Sequence, residues 1–498
     1  MQILSCSQIR QAELAAFCHG IDAFELMEEA AARISELILE AYDEPGLCIA
    51  CAGRGNNGGD ALGAARRLVQ REWRVIVRSP AGKDEAGGLL RREWDLLDAA
   101  AGEATERKAL PLPLPRGPVA VIDGLLGSGA HGALRGKIAE ICAEINTLRS
   151  HSGQVRVWAV DVPTGLNADT GASDPNAVRA DCTAAIACVK PGMLADDAAG
   201  FVGRLACVPL PSLGLPESEG EAVLDADLLA PLLAPRPYGL FKNKAGRVDI
   251  IAGSVGMTGA ARLCAEAALR AGAGLSVLHC PPEIQPVLAA ACAPEIMVRP
   301  LSNPDAADFS EAQALLIGPG LGRPGAEYIR LLRTLVEDFP GVLTLDADGL
   351  NLAAAEGWRM RAGTLLTPPH PGEMRRLFPE SAGLTRREAA LRFIGRSEAT
   401  LVLKGCRTLI AERGRPLRFN GSGGPAMATA GEGDVLAGVC AGLAAQGLAP
   451  FDAASLAAYA CGAASELACR TEDGRSLTAG TTLAHLGRAF RRIARREI

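Results

Sequence analysis

Between residues 47 and 206 the chain repeats one pattern: a short apolar run, a glycine-rich turn, then a helix-like segment. Apolar runs at 47–52, 73–78, 119–122, 155–160 and 184–189 predict strands, and their alternation with helices predicts a mainly parallel sheet covered on both faces. The pattern breaks over 208–236 (VPLPSLGLPESEGEAVLDADLLAPLLAPR), a proline-rich and acidic stretch suited to an exposed connection. A boundary near Glu217 follows, giving domains at 1–216 and 217–498. A second α/β series then opens with RVDIIAG at 247–253 and a helix over 259–271, and continues through LLIGPGLG, VLTLDADGLN, TLLTPPHPGE and TLVLKGCRTLI. It closes on TAGEGDVLAGVCAGLAA at 429–445, a glycine turn feeding an alanine-rich helix. The predicted fold class is α/β, two tandem three-layer α/β/α domains. PLPLPRGP at 111–118 reads as a loop before a strand.

Composition narrows the function classes. With 498 residues, 48% of them apolar, the chain can fill more than one core, and 57 glycines against 4% aromatic residues suit tightly packed α/β layers. A net charge of −6 leaves no footprint for nucleic acid or an anionic membrane, so anionic ligands must be held locally by amides, helix ends and a few lysines. Fifteen cysteines, an odd number scattered through apolar segments, predict reduced thiols rather than a disulfide framework. Cys48 and Cys51 form a CxxC, but LCIACAG reads as a buried strand. Residues 1–14 are polar and helix-like, unlike a secretory signal, so the expectation is a soluble cytoplasmic protein.

The first series carries GRGNNGGD at 53–60, with a helix expected to open near Asp60. It satisfies GxGxxG, yet the next strand ends in Arg78 where a dinucleotide fold would place an acidic residue for the ribose, so a plain dehydrogenase is disfavoured. The motif offers the side-chain carbonyls of Asn56 and Asn57 and glycines that admit close backbone approach. Two further strand ends carry IDGLLGSGAHG and VDVPTGLNADTG, and in a parallel sheet these ends share one crevice, where Asn57, Asp123, Asp161 and Thr164 can converge. Their oxygens suit a hard cation. Asp161 could instead serve as an acid–base group, with Lys190 of VKPG in reach, and His131 reads as a loop residue.

In the second series the turn Gly431-Glu432-Gly433-Asp434 frees backbone amides at the positive end of a helix, a cradle for a phosphoryl group, and sets a carboxylate beside it. TPPHPGEM brings His370 and Glu373 to a strand end, and LKGCRT brings Lys404 and Thr408. Taken singly, Lys404 reads as solvated and His370 equally well as a turn residue.

GNNGGD, DGLLGSG and DVPTG with NADTG resemble the N-terminal domain of the bifunctional NAD(P)H-hydrate repair enzymes, and the likeness begins at GIDAFELMEEAA, residues 20–31. The resemblance implies a Rossmann-like epimerase domain that interconverts (R)- and (S)-NADHX and NADPHX, the hydrated dinucleotides, with K+ held by Asn57, Asp123 and Thr164. It implies dinucleotide contacts from Asn56, Asn57, Gly58, Gly59 and Asp60, from the turn Gly127, Ser128, Gly129, Ala130, His131, Gly132 and Ala133, and from Asp161. Asp161 leads as the acid–base group, and Lys190 is a second catalytic candidate. Ala31 and Ala61 stand where glycine is common in the family. From about residue 241 onward the chain resembles the ribokinase-like dehydratase domain of the same enzymes. There the resemblance places Ala260, Gly320, His370 and Asp434 at the hydrate and Lys404, Gly405, Cys406, Arg407, Thr408 and Gly433 at the nucleotide, with Asp434 as base. It favours ADP over ATP as donor, with Mg2+ on the phosphates and Asn351 and Glu373 as candidates to hold it through water. Glu432 departs from the family's frequent threonine and sets a negative side chain beside a site for a negative group. A homo-oligomer is expected. The rival reading is a ribokinase-like small-molecule kinase fused to a non-catalytic dinucleotide-binding module.

Overall fold

A computed structural model describes residues 1–101, 105–106, 114–215, 219–359 and 364–497. The chain divides into two compact units, Met1–Gly220 and Glu221–Ile498. The expected boundary at Glu217, and residues 111–113 of the proline run, lie outside the described residues.

In the first unit the strands are β1 (Leu47–Ala52), β2 (Arg74–Arg78), β3 (Thr105–Glu106), β4 (Val119–Gly124), β5 (Val155–Val160), β6 (Cys182–Ile186) and β7 (Arg204–Val208). They form one sheet in the order β3-β2-β1-β4-β5-β6-β7, parallel throughout. β1 explains the layering. All six of its residues are buried, and because side chains alternate across a strand, Cys48, Ala50 and Ala52 join one core with Ile34, Leu62 and Leu68, whereas Leu47, Ile49 and Cys51 join another with Ile141 and Ile145. Helices Ala23–Leu39 and Asn56–Val69 thus cover one face, and Gly136–His151 the other. Three boundaries differ from expectation. The strand expected at 184–189 is Cys182–Ile186, because the backbone turns at Ala187 (φ +64°) and Val189 pairs with Ile3 instead. β4 runs on to Gly124 and so carries Asp123 into the buried sheet. β3 and β7 were not expected: edge strands need little apolar sequence.

The second unit holds β8 (Ala222–Leu224), β9 (Arg247–Ile251), β10 (Leu275–Cys280), β11 (Met297–Pro300), β12 (Ala314–Ile317), β13 (Val342–Leu345), β14 (Leu365–Thr367), β15 (Thr400–Leu403), β16 (Leu409–Ala411) and β17 (Arg418–Asn420). Their order is β11-β10-β9-β12-β13-β14-β15-β16-β17-β8, parallel except for the antiparallel pairings of β16 with β15 and β17. The helix Glu432–Ala445 is apolar on all sides and accordingly central: every residue of it is buried except Gly433 and Asp434. Glycines at 438 and 442 let its backbone meet helix Thr258–Arg270, since a methyl group on Gly438 would lie 2.3 Å from the Cys264 carbonyl oxygen and one on Gly442 2.5 Å from that of Ala268. Gly438→Ala gains up to ~1 kcal/mol of helix propensity but must separate two backbones, so it will destabilise the protein by roughly 1–3 kcal/mol, read as a lower urea midpoint.

No helix among the described residues is long and apolar enough to cross a membrane. None of the fifteen cysteines, all of them among the described residues, is in a disulfide, and Cys48 and Cys51 are fully buried in β1.

Candidate active sites

In the first unit the crevice lies where the sheet order reverses, at the carboxyl ends of β1 and β4. Helix Asn56–Val69 opens there four residues earlier than expected, with Gly55 as an N-cap that supplies no side-chain bond, so Asn56, Asn57, Gly58, Gly59 and Asp60 form its first turn. Its free amides make this end anion-attracting. The glycines divide by role: a methyl on Gly53 would strike the Leu125 carbonyl oxygen at 1.8 Å, one on Gly58 the Gly53 oxygen at 2.2 Å and one on Gly59 Met27 at 2.6 Å, whereas Gly55 faces open space. Close approach in this motif is therefore mainly protein on protein. The family-atypical alanines fit the same packing, for Ala31 lies against Gly63 and Ala61 against Gly124.

Four oxygen-bearing groups converge beneath that turn. Asp123, fully buried, accepts from the Thr164 amide (2.9 Å), the Thr164 hydroxyl (2.7 Å) and the Leu125 amide (3.3 Å). Asn57 Nδ2 donates to the Leu126 carbonyl at 3.0 Å, while the Leu126 amide donates to Thr164 Oγ1 at 3.0 Å. Burial lifts the Asp123 carboxyl to about 6, against the stabilising bonds from Thr164 and Leu125. One carboxylate among neutral oxygens matches the charge of a single monovalent cation.

Beside this cluster Asp161 sits at φ +65°, a strained position for a non-glycine residue. Its carboxylate accepts from the Ser128 amide at 3.2 Å and is ion-paired with Lys190, which also donates to the Ile186 carbonyl at 2.8 Å. Lys190 is 1% exposed. Burial alone would discharge it, yet Asp161 outweighs burial and holds the ammonium above its ordinary value. Asp60, also buried, is pushed far up by burial and by the charges of Asp161, Glu93 and Glu13. In the following turn Gly129, His131, Gly132 and Ala133 are exposed and Gly127, Ser128 and Ala130 half-buried, so this turn is free to meet a ligand. Arg78 is a scaffold residue, bonded through Nε and Nη2 to Glu144 at 3.1 and 3.0 Å.

In the second unit Asp434 stands in the first helical turn, and Lys404 closes on it from the loop between β15 and β16: a methyl on Gly433 would lie 3.5 Å from Nζ. Lys404 is not solvated as its sequence context suggests. It is largely buried, bonded to Asp346 Oδ1 at 2.9 Å with Glu373 at 3.6 Å, and these carboxylates raise its affinity for the proton despite burial. Burial, then the Asp346 charge, lifts Asp434 to about 6, with Lys404 opposing. The run LDAD at the end of β13 adds two acidic groups that the motifs above do not include: Asp346 anchors Lys404, and Asp348 accepts from the Gly322 amide at 2.8 Å. Ala260 and Gly320 are neighbours, 3.1 Å apart if Gly320 carried a methyl.

His370 does serve the turn: its Nδ1 accepts from the Gly372 amide at 2.9 Å and caps helix Pro371–Leu377, while Glu373 accepts from the His370 amide at 2.8 Å. With Nδ1 an acceptor, the ring proton is on Nε2, on a half-exposed ring. Gly405 and Cys406 are exposed, Arg407 (φ +53°) and Thr408 half-buried. Of the two magnesium candidates, Asn351 accepts from Arg376 Nε through its amide oxygen at 2.8 Å and Glu373 faces Lys404 at 3.6 Å, so each already has a protein partner. Glu432 turns away from the cradle. Two residues along a helix are about 200° apart, so Glu432 and Asp434 occupy opposite faces, and the Glu432 carboxyl is buried with Oε1 accepting from Thr482 at 2.7 Å. Burial raises its proton affinity above 4.5, with the Thr482 bond opposing. A carboxyl raised on folding lowers stability as pH climbs from 4.5, so Glu432→Gln will match the parent in Tm near pH 4.5 and exceed it at pH 8.

Comparison with known proteins agrees in both halves. Residues 248–486 match the family model for NAD(P)H-hydrate dehydratase, and residues 23–192 that for the YjeF-related protein N-terminus. The chain is 35% identical over 493 residues to the bifunctional NAD(P)H-hydrate repair enzyme of Coxiella burnetii, spanning 96% of this chain and 97% of the relative. It is 35% identical over 461 residues to that of Escherichia coli, spanning 90% and 86%. Among solved structures, a ribokinase-like superfamily protein from Enterococcus faecalis matches with a TM-score of 0.50 at 27% identity, covering 56% of this chain and 99% of the other.

Proposed function

Because the chain belongs to the family of bifunctional NAD(P)H-hydrate repair enzymes, we propose an assignment of residues to its two reactions. The protein epimerises the (R)- and (S)-hydrates of NAD(P)H and dehydrates the (S)-hydrate at the expense of ADP or ATP. Similarity over both units disfavours a small-molecule kinase joined to a non-catalytic module.

Residues 1–216 carry the epimerase and residues 217–498 the dehydratase in this assignment. In the epimerase unit the helix start formed by Asn56, Asn57, Gly58, Gly59 and Asp60 and the turn from Gly127 to Ala133 take the dinucleotide. Asp161 moves the proton, and Lys190, ion-paired with it, fixes the side chain in place. Asn57, Asp123 and Thr164 hold K+, a reading supported by the convergence of their oxygens. When bound, the ion supplies a positive charge that offsets the buried Asp123 carboxylate.

In the dehydratase unit Ala260, Gly320, His370 and Asp434 line the hydrate, and Lys404, Gly405, Cys406, Arg407, Thr408 and Gly433 the nucleotide. The carrying observation is that Gly433 and Asp434 alone break the burial of their helix, beside Lys404. Hydroxide leaves poorly. Asp434 takes the proton of the carbon-6 hydroxyl as it attacks the phosphoryl group, and amides at Gly431 and Gly433 meet the developing charge. The donor leaves as AMP or ADP, the ring nitrogen lone pair then expels phosphate from carbon 6 to leave a C=N iminium, and loss of a carbon-5 proton to water restores the dihydronicotinamide. Mg2+ on the donor's phosphates, with Glu373 behind it, would neutralise charge there. Fifteen cysteines without a disulfide among them fit the reducing cytoplasm.

Absorbance at 340 nm tests the assignment, with an epimeric mixture of NADH hydrate, Mg2+, and either ADP or ATP in K+ or Na+ buffer. Full recovery in K+ with ADP is expected. Full-rate epimerisation in Na+ overturns the potassium site, and faster recovery with ATP overturns ADP as donor. Light scattering on the same sample reads the expected homo-oligomer.

A further inference from the structure

The N-terminal helix Cys6–Cys18 presents its buried stripe through Cys6, Ile9 and Ala16, and the i, i+3, i+4 spacing places Glu13 on that same stripe, between Ile9 and Ala16. A carboxyl on the packed face of an amphipathic helix calls for a reason. The helix is tied to the crevice at its start: the Leu4 amide donates to the Val189 carbonyl at 3.0 Å and the Val189 amide to that of Gln2 at 3.0 Å, one residue before Lys190. The Cys6 amide donates to Asp169 Oδ1 at 2.9 Å, in the loop that follows Asp161. Further along, Ala12 and Ala16, on either side of Glu13, pack in one apolar cluster with Ala187 and Leu210, just past the carboxyl ends of β6 and β7, so this turn of the helix stands at the crevice end of the sheet; the charges of Asp161 and Lys190 from the strand ends and of Arg10 from its own helix act on Glu13, and Glu13 on Asp60. The carboxyls nearest in this network are Asp161, paired with Lys190, and the buried Asp60.

We infer that Glu13 is a second acid–base residue of the epimerase, working opposite Asp161 across the nicotinamide hydrate. Loss of water from one face of carbon 6 and its return on the other is served by one acid–base group on each side. As the ring nitrogen lone pair forms the C=N bond, the C6–O bond breaks and the departing hydroxide takes a proton from the Glu13 carboxyl to leave as water. A water then adds to the other face, its oxygen bonding to carbon 6, its proton passing to Asp161 and the C=N pair returning to nitrogen. One water leaves and one enters; the reverse reaction uses the same groups in exchanged roles. Burial and the nearby Asp161 charge hold Glu13 above its ordinary range, which favours the proton-bearing form that an acid needs, whereas Asp161 faces an ammonium.

The inference rests on Asp161 being in the epimerase site, so the full-length protein is tested as Glu13→Gln, Glu13→Asp and Asp161→Asn. Epimerisation of purified (R)-NADH hydrate is followed by chromatography, and dehydration of the (S)-hydrate in the same preparation serves as an internal control. Glu13→Gln is expected to lower kcat of epimerisation about 10²-fold with KM within twofold, to remove one limb of the pH profile, and to slow exchange of the ring hydroxyl with 18O-labelled water equally, while Glu13→Asp regains part of the rate. Unchanged kcat in Glu13→Gln, or a loss confined to KM or to unfolding temperature, overturns the role. If Asp161→Asn alone remains active, the underlying site reading fails; if it is inactive while Glu13→Gln is normal, only this inference fails.

Discussion

Replacing Asp434 by asparagine will slow nucleotide-dependent recovery of NADH from the (S)-hydrate by about 10²- to 10⁴-fold and leave epimerisation in the same chain unaffected. The substitution keeps shape and removes only the ability to take a proton. The sign of the pH effect follows from the shifted carboxyl. Burial, with Asp346 beside it, raises Asp434 to about 6, so the parent's kcat will fall about tenfold per pH unit below 6 as the base is protonated, and level off above. Stability moves the other way: folding favours the protonated acid, so the ionised group costs stability as pH rises from 3.8 through about 6, and Asp434→Asn will be at least as heat-stable as the parent at pH 7.5. An inactive variant with a lowered Tm at neutral pH would locate the defect in folding rather than in proton transfer.

Lys190→Met carries the largest expected cost in stability. The lysine is 1% exposed and paired with Asp161, and an apolar replacement strands a mostly buried carboxylate, a loss of roughly 3–5 kcal/mol. For a unit of this size that lowers the first unfolding transition by roughly 10 °C or more. Epimerisation will drop at least tenfold, and arginine will not rescue it, because a planar guanidinium does not reproduce a single ammonium shared between Asp161 and the Ile186 carbonyl. The double variant Lys190→Met with Asp161→Asn will recover much of the stability and none of the epimerisation, since neutralising both partners removes the stranded charge along with the chemistry. Additive destabilisation in that cycle would mean that the ion pair is not what holds the two side chains in place. Calorimetry and the chromatographic epimerisation assay on the four proteins decide it.

The alternation of apolar runs and glycine turns fixed the α/β class and most interior strands, because a strand buried on both faces must be written as a continuous apolar run: LCIACA has no other use. Motifs at the strand ends located both crevices, since glycine turns and short polar side chains are local requirements visible in sequence. Three things were out of reach. The pairing of Lys404 with Asp346 and of Lys190 with Asp161 depends on which strands become neighbours, a long-range choice that no local spacing encodes. The outward or inward sense of Glu432 was undecidable until Thr482, fifty residues away, supplied a hydroxyl on the far side of the helix. The glycines of GRGNNGGD, readable only as permissive, proved in three of four cases to be required by protein contacts at Leu125, Gly53 and Met27.

By itself, then, the sequence determined periodicity, turn chemistry and the kinds of group available at each strand end. The tertiary structure decided the protonation preferences, because burial and the approach of a distant charge set them: Asp434 lifted to about 6, Lys404 and Lys190 raised inside the protein by the carboxylates they meet, and Glu13 raised by burial and the Asp161 charge on a helix whose own sequence gives no hint of what it faces.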